Sequence, residues 1–148
     1  MELFEKGGPP VKICAPMVRY SKLAFRNLVR LYDCDLAFSP MILADSFFQS
    51  QKARDNEFTI NEVEYLMLVF SKIVKPILIQ EDKPLIVQFA ANKAEFFSGA
   101  AELVARYCNG VDLNCGCPQR WAWKVNLLMK NLELVSLMFH RRELELVL

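Results

Sequence analysis

The stretch from Pro84 to Cys115, PLIVQFAANKAEFFSGAAELVARYCNGVDLNC, decides the fold. It opens with an apolar run, Pro84 to Ala91, and closes with a second, Gly110 to Cys115. Short apolar runs bounded by Pro, Asn or Gly read as strands covered on both faces. Between them lies Lys93 to Tyr107, preceded by Asn92, a residue suited to an N-cap. Phe96, Phe97, Ala100, Leu103 and Val104 recur at helical spacing and predict the apolar side of that helix. A strand, a helix and a strand in this order predict a parallel pair joined by a right-handed crossover.

Working outward, the same pattern occurs upstream. Val11 to Met17 (VKICAPM) and Cys34 to Met41 (CDLAFSPM) read as strands, each ending in Pro-Met. Ser21 to Tyr32 between them reads as a helix, with Ser21 as its cap and Leu23, Phe25, Leu28, Val29 and Leu31 as its apolar residues. Each strand pair is separated by roughly two dozen residues, close to the about thirty that each unit of an eight-unit (β/α) barrel occupies. The expected fold is therefore α/β: parallel (βα) units forming the first half of a TIM-type (β/α)8 barrel, with a C-terminal helix after the fourth strand. The gap between the second and third strands is longer, and its excess, Glu62 to Asp82, reads as an extra helix broken at Pro76. Val125 to Leu148 reads as a leucine-rich helix, apolar on more than one side.

Composition fits one globular domain: 148 residues, 53% hydrophobic and 24% charged. A net charge of +1 supplies no overall field for a nucleic acid. The most apolar stretch, Tyr65 to Ile79, is broken by Lys72, Lys75 and Pro76, so no membrane span is expected. The N-terminus lacks an apolar signal-peptide core. Five cysteines, an odd number without framework spacing, point to a reducing compartment, hence an intracellular, cytoplasmic protein.

The chemistry concentrates in Asp112-Leu113-Asn114-Cys115-Gly116-Cys117-Pro118-Gln119. Strand alternation puts Val111, Leu113 and Cys115 on one face and Asp112 and Asn114 on the other. Cys115 is expected to be packed. Cys117 falls just past the strand, where parallel α/β proteins carry their active sites. Most cysteines are simply small buried hydrophobes, so position alone does not make Cys117 reactive. Cys115 and Cys117 also form a C-x-C pair, but structural zinc sites take four ligands in C-x₂₋₄-C pairs, and no second pair exists; no metal is expected. Gln88, in mid-strand, must find a partner if buried. It either bonds a neighbouring strand or loop, or faces a planar heterocycle.

Ala15-Pro16-Met17-Val18, Leu85 to Asn92 (LIVQFAAN) and Asn114-Cys115-Gly116-Cys117-Pro118 together resemble the tRNA-dihydrouridine synthase family. CAPMVRYSKLAF from Cys14, KARDNEF from Lys52 and NCGCPQRWA from Asn114 resemble its eukaryotic 4-like group. The resemblance covers residues 11–61 and 83–123, leaving 62–82 as an atypical insertion and 124–148 as a divergent helical tail. It implies an FMN-holding barrel in which NADPH is the reductant and a uridine in the tRNA D-loop becomes 5,6-dihydrouridine. Cys117 would then be the catalytic proton donor to C5 of the base. A thiol, with a pKa of about 8.5, holds its proton at neutral pH and has one to give.

By the same resemblance Pro16, Met17 and Val18 would lie along the flavin. Gln88 would bond the ring edge, and Asn114 would line the space between flavin and uracil. Arg19, Arg26, Lys52 and Arg54 are candidate tRNA phosphate contacts, or else surface and helix-end charges. The family's later strands and its helical tRNA-binding domain have no counterpart in these residues. The chain therefore reads as one incomplete FMN-binding domain over residues 1–148. The alternative is a truncated, inactive fragment that acts at most as a weak binding module. Open sheet edges predict self-association.

Overall fold

The computed structural model describes residues 8–58 and 82–117. The helices expected from Glu62 and from Val125, and the tail 124–148, lie outside the described residues, apart from Asp82. The described elements run β1 (Ile13–Cys14), α1 (Leu23–Arg30), β2 (Leu36–Phe38), β3 (Ile42–Leu43), α2 (Ala44–Gln49), α3 (Gln51–Glu57), β4 (Leu85–Ala90), α4 (Ala94–Val104) and β5 (Gly110–Leu113). A 3-10 turn, Ala105–Tyr107, closes α4. Every strand pairing is parallel: β1 with β2, β2 and β3 with β4, and β4 with β5. These units are part of a (β/α)-barrel-type arrangement, as the spacing predicts.

The second strand departs from expectation. Instead of one run from Cys34 to Met41, two short strands sit on the same edge of β4. Ala37 and Phe38 pair with Leu85 and Ile86, whereas Ile42 and Leu43 pair with Phe89 and Ala90. Three residues, Ser39 to Met41, thus lie opposite two, Val87 and Gln88, which makes a one-residue bulge. Pro40 has no N–H for the ladder, so a break here costs least. The Ser39 hydroxyl repairs it, accepting the Gln88 N–H at 3.0 Å and donating to the Pro40 carbonyl at 2.8 Å.

Strand alternation divides the sheet chemically. Leu85, Val87 and Phe89 of β4, with Val111 of β5, join Phe47 of α2 and Phe97, Ala100 and Val104 of α4 in one core cluster. Phe89 is its centre, with its ring edge-on to Phe47 at 5.4 Å and to Phe97 at 6.3 Å. Each such contact is worth about 0.5–1.5 kcal/mol beyond area burial. Helices α2 and α4 approach closely because Gly99 has no side chain; a Cβ there would lie 2.4 Å from the Phe48 ring. The opposite face of the sheet carries Ile86, Gln88 and Ala90 from β4 and Asp112 from β5, by alternation and register.

Helix α1 follows its sequence reading only in part: Leu23, Phe25 and Val29 are partly buried. Its buried residues are Arg26 and Arg30, while Leu28 and Leu31 are exposed. The two guanidinium groups are one helical turn apart and converge on Asp82. Arg26 Nη2 and Nε meet Asp82 Oδ2 at 2.7 and 2.8 Å, and Arg26 Nη1 donates to the Ser21 carbonyl at 2.7 Å. Arg30 Nη2 donates to the Pro84 carbonyl at 2.5 Å and Nη1 to that of Cys34 at 3.1 Å, with Nε 3.7 Å from Asp82 Oδ1. Together they lock α1 to the entrances of β2 and β4. Arg26 is therefore not a phosphate contact; it is 2% exposed and fully engaged.

The expected caps also differ. Lys22 and Lys93 occupy the N-cap positions of α1 and α4, neither with a side-chain cap bond. Ser21 serves the preceding loop instead. Ser50 caps α3, its hydroxyl accepting from Ala53 N–H at 3.3 Å. Arg54 Nη1 covers the last carbonyls of α2, donating to Phe47 and Phe48 at 2.8 and 2.9 Å.

Removing Asp82 strands two buried cations. Breaking one side of such a pair typically costs about 3–5 kcal/mol. Asp82→Ala is expected to lower the urea midpoint by a corresponding amount, read by circular dichroism; an unchanged midpoint would show the cluster to be energetically idle.

Candidate active site at the strand ends

The C-terminal ends of the strands carry most of the residues singled out in the sequence. At β4, Gln88 is 7% exposed, and its side chain is not idle. Its Nε2 donates to Asp112 Oδ2 across the strand pair at 2.5 Å, and its Oε1 accepts from Asn114 Nδ2 at 3.2 Å. Asn114 Oδ1 in turn accepts from the Gly116 N–H at 3.0 Å. The Asn114 N–H bonds the Phe89 carbonyl at 2.8 Å, which holds the chain to β4 just past the last residue of β5. A continuous relay thus runs from Asp112 through Gln88 and Asn114 to the loop that carries Cys117. Of the two readings of Gln88, the bond to a neighbouring strand is present. Among the described residues, one N–H and one oxygen lone pair of the amide have no further partner.

Cys117 is partly exposed, beyond the end of β5 and outside the hydrophobic core. Cys115 is exposed rather than packed. The reason is local: β5 ends at Leu113, so alternation no longer governs where residue 115 points. Local burial first, and the Asp112 negative charge second, push the Cys115 thiol above its ordinary range. Gly116 sits in open space, with nothing within 4 Å of a built Cβ, so the described surroundings impose no steric need for glycine there.

Pro16, Met17 and Val18 leave β1, which lies across β2 from β4. Their loop is closed by Ser21, wholly buried, whose hydroxyl accepts the Met17 N–H at 2.9 Å and donates to the Met17 carbonyl at 3.1 Å. Arg19 adopts φ 71° inside this turn. Val18 is 48% exposed and lines a cleft of about 460 Å³ with Arg19, Lys22, Met41, Phe47 and Asn56. Gln88, Asn114 and Cys117 do not line that cleft. The structure therefore joins Gln88 and Asn114 directly and ties Cys117 to them through the Gly116 backbone, while Pro16 to Val18 follow β1, with β2 between β1 and β4.

Sequence reading places Asp112 on the Asn114 face but gives neither it nor Ser39 a role; these two groups hold Gln88 in place. Asp112 shares the Asn114 face by alternation, and that was the available signal. Nothing marks Ser39 beyond its place before Pro40. Among the other basic candidates, Arg54 is occupied at the α2 terminus, whereas Arg19 and Lys52 are exposed. Among the described residues, no group of three or more His, Cys, Asp or Glu is placed to hold a metal ion. No described helix is long and apolar enough to cross a membrane.

A parallel (β/α)-barrel-type sheet with a polar relay leading to a thiol beyond β5 defines the class: folds of this type carry their active sites at the C-terminal ends of the strands. Comparison narrows it. The family profile for dihydrouridine synthase (Dus) matches residues 13–141, and the chain belongs to that family. That range includes 62–82 and reaches into 124–148. A human tRNA-dihydrouridine(20a/20b) synthase-like protein is 56% identical over 122 residues, covering 82% of this chain and 32% of its own length. The Schizosaccharomyces pombe tRNA-dihydrouridine(20a/20b) synthase is 42% identical over 124 residues, with the same shares of 82% and 32%. The Saccharomyces cerevisiae tRNA-dihydrouridine(16/17) synthase is 42% identical over 123 residues, 83% of this chain and 26% of its own length. The names of all three include NAD(P)+. The chain thus spans about a third or less of these relatives, by the shares of 32% and 26%.

The charge on Asp112 gives a pH prediction. Cys115 must lose a proton to be alkylated, and both burial and Asp112 oppose that loss. Its alkylation rate, followed by mass spectrometry, should rise only above the ordinary thiol range. Asp112→Asn should move that rise to lower pH by removing one cause, with burial left in place. A profile that does not move would show that the carboxylate has no electrostatic hold on the thiol.

Proposed function

We propose that this chain carries the proton-donor portion of a tRNA-dihydrouridine synthase site, serving the reduction of a D-loop uridine to 5,6-dihydrouridine. The single observation that carries the reading is the bonded pair Gln88–Asn114, which joins the middle of β4 to the residue just past β5 and is tethered to the loop of Cys117. An FMN ring fits this donor set. The N–H and lone pair of Gln88 that no other described residue engages suit the alternating donors and acceptors of its edge. Gln88, Asn114, Pro16, Met17 and Val18 would hold it. When bound, it supplies hydride to C6 of the uracil, with NADPH as its reductant.

The rest falls to the protein. Asn114 orients the base at the strand ends. Cys117 Sγ gives its proton to C5, and the thiolate regains one from solvent. The uracil must leave its stack to be reached, at a cost of a few kcal/mol that is lowest for an unpaired loop base. Arg19 and Lys52, both exposed, are candidate contacts for the phosphates around it.

Proton donors of this kind contribute about 10²–10⁴-fold to rate. Cys117→Ala is expected to reduce dihydrouridine formation by that order, measured by mass spectrometry of unmodified tRNA incubated with protein, FMN and NADPH. Quenching of flavin fluorescence on binding should be unchanged in the variant. Full turnover without the thiol would end the assignment.

A second reading has its own support. The chain spans about a third of the human relative, at 32%, and among the described residues β1 and β5 each have one strand neighbour. Exposed ladder groups invite pairing with another chain. On this reading the chain is a non-catalytic binding module that self-associates. Size-exclusion chromatography with light scattering should give a mass above that of one chain. A monomer that binds flavin stoichiometrically would count against it.

A further inference from the structure

We propose that Asp112 is a positioning residue that helps set the direction of the hydrogen-bond relay ending at the Cys117 loop. An ionised carboxylate only accepts. Its bond to Gln88 Nε2 therefore requires the Gln88 amide to turn its NH₂ toward β5 and its oxygen away. That oxygen accepts from Asn114 Nδ2, so Asn114 must present Oδ1 on its other side. There Oδ1 receives the Gly116 N–H, one residue before Cys117. The carboxylate at one end and the Gly116 N–H, which can only donate, at the other thus agree on a single orientation for the two amides.

The geometry supports a dedicated anchor. Asp112 and Gln88 are direct partners in the β4–β5 register, so their side chains project from the same face of adjacent strands. The Gln88 backbone N–H is separately tied to Ser39 Oγ, which leaves the side chain as the only part of Gln88 that Asp112 orients. A neutral amide in place of the carboxylate could donate or accept at this point. Only the Gly116 N–H, an obligate donor, would then hold the relay in its direction, and Gln88 could flip at the expense of its bond to Asn114. Asp112 acts on the site through Gln88 and Asn114; it touches neither the base nor the flavin in the proposed reaction. Its functional meaning rests on the reading of Gln88, Asn114 and Cys117 as one site, whereas the relay itself does not.

The test uses the 148-residue chain with and without Asp112→Asn, and with Asp112→Glu as the conservative rescue. Nitrogen-15 spectra report the side-chain NH₂ groups of Gln88 and Asn114, and amide hydrogen exchange reports Gly116. The proposal expects the Asn variant to keep its circular dichroism. Exchange at Gly116 should be faster by about five- to tenfold, the worth of one ordinary hydrogen bond. The Gln88 and Asn114 NH₂ signals should shift or double, and Asp112→Glu should restore part of both effects. A folded Asn variant with unchanged exchange and unchanged NH₂ signals overturns the proposal. Should Asp112→Asn fail to fold, Asn114→Ala decides: it cuts the last link, so protection at Gly116 must fall, and its persistence overturns the relay. A separate FMN titration of the unaltered chain distinguishes the two readings. Absence of binding beside an intact relay would defeat the flavin assignment and leave the role of Asp112 standing.

Discussion

Pairing of β4 on both edges at once is the constraint from which the other elements take their places. All six of its residues, Leu85 to Ala90, are buried, and its N–H and C=O groups must be satisfied by neighbouring strands. The β2–β3 segment meets one edge and β5 the other. Alternation then sends Leu85, Val87 and Phe89 toward α2 and α4, where Phe47 and Phe97 meet Phe89. The same alternation leaves Gln88 on the opposite face, where it can serve only a polar partner. One strand thus creates both the core and the need for a relay.

That need is met from both neighbours. On one side Pro40 interrupts the ladder, and the Ser39 hydroxyl takes over the exposed Gln88 N–H. On the other, Asp112 and Asn114 engage the two ends of the Gln88 amide. A buried amide with unmet partners costs about 1–3 kcal/mol, so these contacts are conditions for putting glutamine there at all. They also fix its orientation: the bonds that make its burial tolerable are the ones that hold the amide in place.

A second polar cluster does structural work at the opposite ends of the strands. Arg26, Arg30 and Asp82 join α1 to the chain entering β2 and β4. Buried charges are expensive unless paired and bonded, and here backbone carbonyls take Arg26 Nη1 and both Arg30 Nη atoms, while Arg30 Nε and Asp82 Oδ1 face each other at 3.7 Å without a hydrogen bond among the described residues. This cluster explains why α1 turns its arginines inward and leaves Leu28 and Leu31 at the surface. An apolar-periodicity argument ranks residues by hydrophobicity, so it could not anticipate that an ion-paired guanidinium would displace a leucine from the buried face.

The residues alone determined the parallel (βα) order, strands within 84–91 and 110–115, the helix within 93–107, and the family motifs through Asn114-Cys115-Gly116-Cys117-Pro118. Each of these is a local or periodic property, readable wherever apolar runs alternate with helical spacing. Tertiary structure alone decided what happens to the polar groups. It split the second strand at Pro40, buried Arg26 against Asp82, exposed Cys115 where β5 ends early, and gave Gln88 its partner in Asp112. The reason is that a hydrogen bond or an ion pair joins groups distant in sequence. Arg26 and Asp82 carry no mark of one another until the fold brings them within 2.7 Å.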